Sequence, residues 1–143
     1  MLLLQILAPA EAGRMHLPVF KIRSRLVVQI VIAQTGGGVY NINGSPVLKN
    51  CLFFKNRSFI NGAAMFNTET SNPNIVNCTF SNNVGIGTLA IASANTSVPT
   101  ITNSIIWEAA NALSQVNANP PVISYSIIKS GFTGIGNLAT YGS

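Results

Sequence analysis

Ser45-Pro46-Val47-Leu48-Lys49-Asn50-Cys51-Leu52-Phe53-Phe54-Lys55-Asn56 decides the fold, because the chain repeats it. It returns as Asn72-Pro73-Asn74-Ile75-Val76-Asn77-Cys78-Thr79-Phe80-Ser81-Asn82-Asn83. A more divergent copy runs Val98-Pro99-Thr100-Ile101-Thr102-Asn103-Ser104-Ile105-Ile106-Trp107. A fourth runs Pro120-Pro121-Val122-Ile123-Ser124-Tyr125-Ser126-Ile127-Ile128-Lys129. Pro46, Pro73, Pro99 and Pro121 anchor these copies, at spacings of 27, 26 and 22 residues. A period in the twenties marks a solenoid, whose units each need a neighbour to bury their apolar face.

Equal positions show what each copy does. Two residues after the proline stand Leu48, Ile75, Ile101 and Ile123; seven after stand Phe53, Phe80, Ile106 and Ile128. Between them lie Asn50, Asn77, Asn103 and Tyr125, each followed by a small residue: Cys51, Cys78, Ser104 or Ser126. The two apolar positions are an odd number of residues apart, whereas a straight strand returns to one face every second residue. A bend at the Asn-small step brings both to one interior. A further segment precedes each proline: Gly36-Gly37-Gly38-Val39-Tyr40-Asn41, Gly62-Ala63-Ala64-Met65-Phe66-Asn67 and Thr88-Leu89-Ala90-Ile91-Ala92-Ser93. Small residues ahead of an apolar pair suit a strand entered through a tight corner. The chain is therefore predicted to be all-β: a parallel β-helix of about three to four coils, with three short strands per coil. Trp107 to Ala118 is the one Ala- and Leu-rich stretch. It is compatible with a helical turn but falls where a loop between coils belongs.

In such a stack, equal positions lie about 4.8 Å apart. Leu48, Ile75, Ile101 and Ile123 are expected to form an aliphatic ladder, and Phe53 to stack on Phe80, continued by Ile106 and Ile128. Asn50, Asn77 and Asn103 are expected to form an amide ladder at the corner, since Asn tolerates left-handed backbone angles. Glycan contact is the alternative role for these amides; their register with the core favours the structural one. Cys51 and Cys78 stack within the disulfide range of about 4.4–6.8 Å between Cα atoms. Parallel side chains aim the same way, however, and serine later takes their place. A buried pair of reduced thiols is expected.

Composition narrows the function classes. Charged residues make up 8% of the 143, against 48% hydrophobic. Usual soluble domains carry about 25% charged residues. Asn, Ser, Thr and Gly supply the polarity, as suits a β-rich extracellular protein. The net charge of +5 does not make a phosphate-binding face: four cations (Arg14, Lys21, Arg23 and Arg25) precede the repeats, and Lys49, Lys55, Arg57 and Lys129 are spread through them. Nucleic acid is therefore not an expected partner.

The chain divides into residues 1–34 and a repeat domain, 35–143. In the first part, Lys21, Arg23 and Arg25 precede the apolar run Leu26 to Ala33. That run is too short for a transmembrane span. Two readings stand: a signal-like segment, or a degraded first coil in which Pro18-Val19-Phe20-Lys21 echoes Pro46-Val47-Leu48-Lys49 and Leu26 to Ile32 is a buried strand.

Gly36-Gly37-Gly38-Val39, Phe53-Phe54-Lys55-Asn56 and Phe80-Ser81-Asn82-Asn83 resemble the GGA(I/L/V) and F-x-x-N motifs of chlamydial-type polymorphic outer-membrane protein repeats. Asn103-Ser104-Ile105-Ile106-Trp107 is similar to the right-handed parallel β-helix repeats of secreted bacterial surface proteins. Tyr125-Ser126-Ile127-Ile128 with Gly131, Gly134 and Gly136-Asn137 is similar to a closing coil. The resemblance covers about residues 36–137. It departs at Gly62-Ala63-Ala64-Met65, which has one Gly of the pair, and at Ile106 to Ala109, which lacks the Asn. It implies a right-handed, secreted, surface-exposed β-helix of structural or adhesin-like character. The family's greater length implies that this chain is a fragment of a larger protein.

Enzyme chemistry finds few candidates. The sequence has no Asp; its carboxylates are Glu11, Glu69 and Glu108, and its single His is His16. A glycosidase pair, a calcium-dependent lyase site and a Ser-His-Asp triad all need more. No catalytic, cofactor or metal residues are assigned, and Glu69 and Glu108 are read as solvated charges at loop tips. The expected function is a non-enzymatic extracellular or cell-surface segment. The alternative is a piece of a polysaccharide-acting β-helix enzyme, a lyase or glycoside hydrolase, lacking its catalytic coils. Expected partners are a glycan or the surface of a host or neighbour protein, met by outward Tyr40, Lys49, Lys55, Arg57, Trp107 and Lys129. Open sheet ends also suit end-to-end self-association.

Overall fold

The computed structural model describes residues 2–3, 21–22, 26–29, 32–85, 90–108, 113–116, 119–129 and 132–139. Among these there is strand, turn and bend but no helix. In chain order, β1 (Leu2–Leu3) comes first. A first set follows: β2 (Lys21–Ile22), β3 (Leu26–Gln29), β4 (Ile32–Thr35) and β5 (Val39–Ile42). The second is β6 (Val47–Lys49), β7 (Cys51–Phe54), β8 (Arg57–Asn61) and β9 (Met65–Thr68). The third is β10 (Asn74–Val76), β11 (Thr79–Ser81), β12 (Val84–Gly85) and β13 (Ile91–Ala94). The fourth has β14 (Thr100–Thr102), β15 (Ile105–Trp107) and β16 (Leu113–Val116), and after it come β17 (Val122–Ser124), β18 (Ile127–Ile128) and β19 (Leu138–Ala139).

Each strand pairs in parallel with the strand at the same place in the next set. The result is four sheets: β1-β3-β7-β11-β15-β18-β19, β2-β6-β10-β14-β17, β4-β8-β12 and β5-β9-β13-β16. Register follows the repeat: Leu48 lies opposite Ile75, Ile75 opposite Ile101, and Ile101 opposite Ile123. Phe53, Phe80, Ile106 and Ile128 align likewise. All eight are buried and share one core with Met65 and Ile91. The rings of Phe53 and Phe80 stack at 4.6 Å, 2° from parallel. Each such buried side chain contributes roughly 1.5–3 kcal/mol.

The strands are short because single residues turn the chain. Asn50, Asn77, Asn103 and Tyr125, at φ 56°, 53°, 50° and 49°, separate the Leu48-type strand from the Phe53-type strand. Lys55 and Asn82 make the next corner, Gly36 and Gly62 the one after, and Asn43, Glu69 and Asn95 the fourth, all at positive φ. At Gly62 (φ 58°) a Cβ would collide with the carbonyl of Met65.

Three expectations change. The complete sets hold four strands, not three, because Arg57–Asn61 pairs with Ile32–Thr35 and Val84–Gly85 in a sheet of its own. This sheet was illegible because its pattern is inverted: Ser58 is buried with no hydrogen-bond partner for its Oγ, while Phe59 and Ile60 are exposed. The stretch after Trp107 is neither helical turn nor loop where it is described, since Leu113–Val116 pairs in register with Ile91–Ala94. Finally, Ile22 lies opposite Leu48, so the motif match that set Phe20 there is two residues out of register. A two-residue slip keeps every side chain on its face, so alternation alone does not reveal it. Pro18, Val19 and Phe20 themselves lie outside the described residues, as do Glu11 and His16.

The corners make a stability prediction. Gly62→Ala should cost more than the ~1–2 kcal/mol of a left-handed residue with a side chain, because the Met65 carbonyl adds a clash. Asn77→Val should cost about 1–2 kcal/mol, and Asn77→Gly much less. Urea denaturation of the three variants measures the order; equal losses at Asn77→Val and Asn77→Gly would refute the corner role.

Candidate functional site

Inside the corners, side chains bond repeat to repeat. The Cys78 N–H donates to Ser104 Oγ (3.1 Å), the Ser104 N–H to Ser126 Oγ (3.1 Å) and the Ser126 N–H to Asn137 Oδ1 (3.1 Å). Ser104 and Ser126 hydroxyls donate in turn to the carbonyls of Thr102 and Ser124. This explains the small residue at the position: it must fit inside and accept the N–H of the repeat before. Cys51 and Cys78 hold it as buried thiols. Hydrogen bonding from the Cys51 thiol, aided by the Cys51 backbone, holds the Cys78 thiol below its ordinary value, against burial that raises it.

Asn50, Asn77 and Asn103 fill the left-handed corners, but their side chains are exposed. Amide-to-amide bonds run elsewhere. Asn41 Nδ2 donates to Asn67 Oδ1 (2.7 Å), and Asn67 Nδ2 to Ser93 Oγ (3.3 Å). Asn56 donates through N–H (3.0 Å) and Nδ2 (2.9 Å) to Asn83 Oδ1. Asn83 donates through N–H to Glu108 Oε2 (2.8 Å) and through Nδ2 to Glu108 Oε1 (2.7 Å).

Glu108 is therefore not a solvated loop charge; it is 4% exposed. It takes the place of the missing third Asn. Lys55 and Asn82 supply a left-handed residue just before Asn56 and Asn83, whereas Glu108 follows Trp107 directly. The longer glutamate side chain reaches the position from a backbone one residue short. Burial pushes its carboxyl above the usual range, and the hydrogen bonds from Asn83 only partly offset this. Glu69 is exposed in the turn after Thr68, where its Oε1 accepts a bond from Asn95. The two carboxyls stand at different corners.

The candidate outward residues do not converge on one place. Tyr40 stacks on Phe66 (5.5 Å, 12°) in the four-stranded sheet. Arg57 lies over Phe59 (5.6 Å) in the three-stranded sheet. Lys49 is exposed at the end of β6. Lys55, Trp107 and Lys129 belong with the seven-stranded sheet, where Lys55 Nζ is 5.0 Å from the Phe54 ring and Lys129 Nζ 5.9 Å from the Trp107 ring. That face also shows Leu52, Phe54 and Ile105, which alternation about the buried Phe53 and Ile106 identifies once the strand bounds are known. No protein-family model, curated protein or solved structure matches the chain.

Two outcomes follow for this interior. Ser104→Ala removes the acceptor for a buried N–H and should cost about 1–3 kcal/mol, whereas Ser104→Cys, which restores the Cys78 arrangement, should cost less. Glu108 sets a pH dependence: with its folded pKa above the unfolded one, its contribution is fully present below about pH 4.3 and is lost as pH rises through the folded value. The denaturation midpoint should fall across that window, and Glu108→Gln should flatten the slope; an unchanged slope would show that Glu108 ionises freely.

Proposed function

We propose that this chain is a segment of a right-handed parallel β-helix, displayed outside the cell, whose role is structural and adhesive rather than catalytic. Four parallel sheets, each joined strand to strand at one repeat's separation, support the helical path. The observation that carries the adhesive role is a division of labour among side chains. Apart from Ser58 Oγ, buried polar side chains among the described residues are hydrogen-bonded, many of them from repeat to repeat, while large apolar, aromatic and cationic side chains stand outward. Such a surface suits attachment more than turnover, and 8% charge with abundant Asn, Ser and Thr suits an extracellular setting.

Inserting a second copy of the 27-residue unit from Pro46 to Asn72 should lengthen the particle by about 4.8 Å at constant cross-section, as read by small-angle X-ray scattering; a widened cross-section would exclude the helical path. Adhesion is tested by immobilising the purified chain against panels of glycans and cell-surface proteins. Binding without change in the ligand is expected. Slow depolymerisation of a bound polysaccharide, abolished by Glu69→Gln, would overturn the non-catalytic reading.

A further inference from the structure

We propose that the outer face of the three-stranded sheet docks on a lipid bilayer whose surface carries anionic headgroups. The inference rests on the adhesive reading above and names a partner for one face. In β4, β8 and β12 the hydropathy is inverted: Ser58 is buried, while Ile32, Phe59, Ile60 and Val84 are 47–63% exposed. Register shows how four large apolar side chains come to stand together. Ile32 and Val84 lie opposite Arg57 on its two sides, and Ala33 and Gly85 lie opposite Ser58. The register then shifts. Phe59 and Ile60 stand between Ser58 and Asn61, whereas β4 has only Gln34 between Ala33 and Thr35. Two residues opposite one make a β-bulge, which re-aims side chains. Here it leaves Phe59 and Ile60, neighbours in the chain, both exposed. A straight strand would have turned one of them inward.

Charge and hydrogen bonding give the occupant. Arg57 is exposed in the middle of this face, its guanidinium carbon 5.6 Å from the centre of the Phe59 ring. Among the described residues no carboxylate accompanies it: Glu108 is buried against Asn83, and Glu69 lies in the turn after β9. The face is thus apolar around one positive charge. A second copy of the chain would set that charge against more apolar surface or against another Arg57. A protein partner would bring polar groups of its own, at about one hydrogen bond per 100–200 Å² of interface. The backbone of β8 is already paired on both sides, and the guanidinium is the polar group at the centre. A bilayer makes no such directional demand.

Each group answers one layer of the membrane surface. Exposed apolar side chains that lie together mark a contact site. Ile32, Phe59, Ile60 and Val84 enter the boundary between headgroups and acyl chains, as the apolar side of an interfacial segment does. Arg57 keeps its stem among them and raises its guanidinium to headgroup level, where its planar fork meets phosphate through two parallel N–H donors. The contact lies on one leaflet. An anionic leaflet adds long-range attraction for the cation, roughly fivefold in affinity for each basic residue near the surface.

The test is co-sedimentation of the purified chain with vesicles of equimolar phosphatidylglycerol and phosphatidylcholine, and with vesicles of phosphatidylcholine alone. The chain should bind the anionic vesicles roughly fivefold more tightly or better, with an advantage that shrinks as salt rises. Phe59→Ser with Ile60→Ser should weaken binding by about tenfold or more while the circular dichroism spectrum is unchanged; Ile105→Ser, on the seven-stranded sheet, should leave it intact. Arg57→Gln should lower affinity for the anionic vesicles roughly fivefold and leave that for the neutral ones unchanged. Fluorescence locates the face. Trp107, the chain's single tryptophan, lies on the seven-stranded sheet and should be insensitive to lipids brominated on their acyl chains, whereas Phe59→Trp combined with Trp107→Phe should be quenched by them. Equal affinity of the parent for the two vesicle types, undiminished binding by the Phe59→Ser, Ile60→Ser chain, or quenching of Trp107 in the parent overturns the proposal. Binding to glycans or cell-surface proteins but to neither vesicle overturns it as well and leaves the adhesive reading standing; binding to none of them overturns both.

Discussion

A strand can change direction within a single residue only where that residue takes a positive φ, and the whole structure depends on this. Asn43, Asn50, Lys55, Gly62, Glu69, Asn77, Asn82, Asn95, Asn103 and Tyr125 all do so. Ordinary side chains resist the conformation by about 1–2 kcal/mol each, so the turns hold because neighbouring repeats turn at the same level. At the first corner the N–H of Asn50 bonds the Val76 carbonyl (3.1 Å), that of Asn77 the Thr102 carbonyl (3.2 Å) and that of Asn103 the Ser124 carbonyl (3.3 Å). Strand length, the one-repeat register and the meeting of Leu48- and Phe53-type residues in one core follow from where those corners fall.

A backbone that turns so often buries many polar groups, and these need partners. Small acceptors inside the bends answer this need. Cys, Ser and Asn are interchangeable at the first bend because a compact acceptor is what the N–H behind it requires. Asn and Glu are interchangeable at the second for the same reason, once the one-residue difference in backbone is allowed for. Lateral bonds of this kind add to the sheets in tying each repeat to the next, and they leave the outward faces to vary.

Much of this was legible in residue order. The Leu48, Phe53 and Cys51 positions repeat in type and spacing, and the structure aligns them residue for residue. The strand Arg57–Asn61 was not legible, because its buried residue is a serine and its exposed ones are Phe59 and Ile60, so hydropathy points the wrong way. Glu108 was misread because a missing F-x-x-N asparagine looked like a lost position, when a longer side chain had filled it from one residue earlier. The surroundings of Ser81 were invisible for another reason: they belong to residues 27 before and 26 after it, and only a known register sets Phe54 and Trp107 on its two sides.

At the first two bends the backbone N–H groups that bond side chains donate one way. Asn56 donates forward to Asn83 and Asn83 forward to Glu108; Cys78 donates forward to Ser104, Ser104 to Ser126 and Ser126 to Asn137. These N–H groups are thus satisfied by residues that follow, while Asn83 Nδ2 donates back to the Phe53 carbonyl. The acceptors differ in kind: Asn137 reaches Ser126 after only 11 residues and also donates to the Ile123 carbonyl, and Glu108 carries acceptors alone when ionised. A repeat gained within the array would therefore need only a compact acceptor at each of these two bends to meet the N–H groups of the repeat before it.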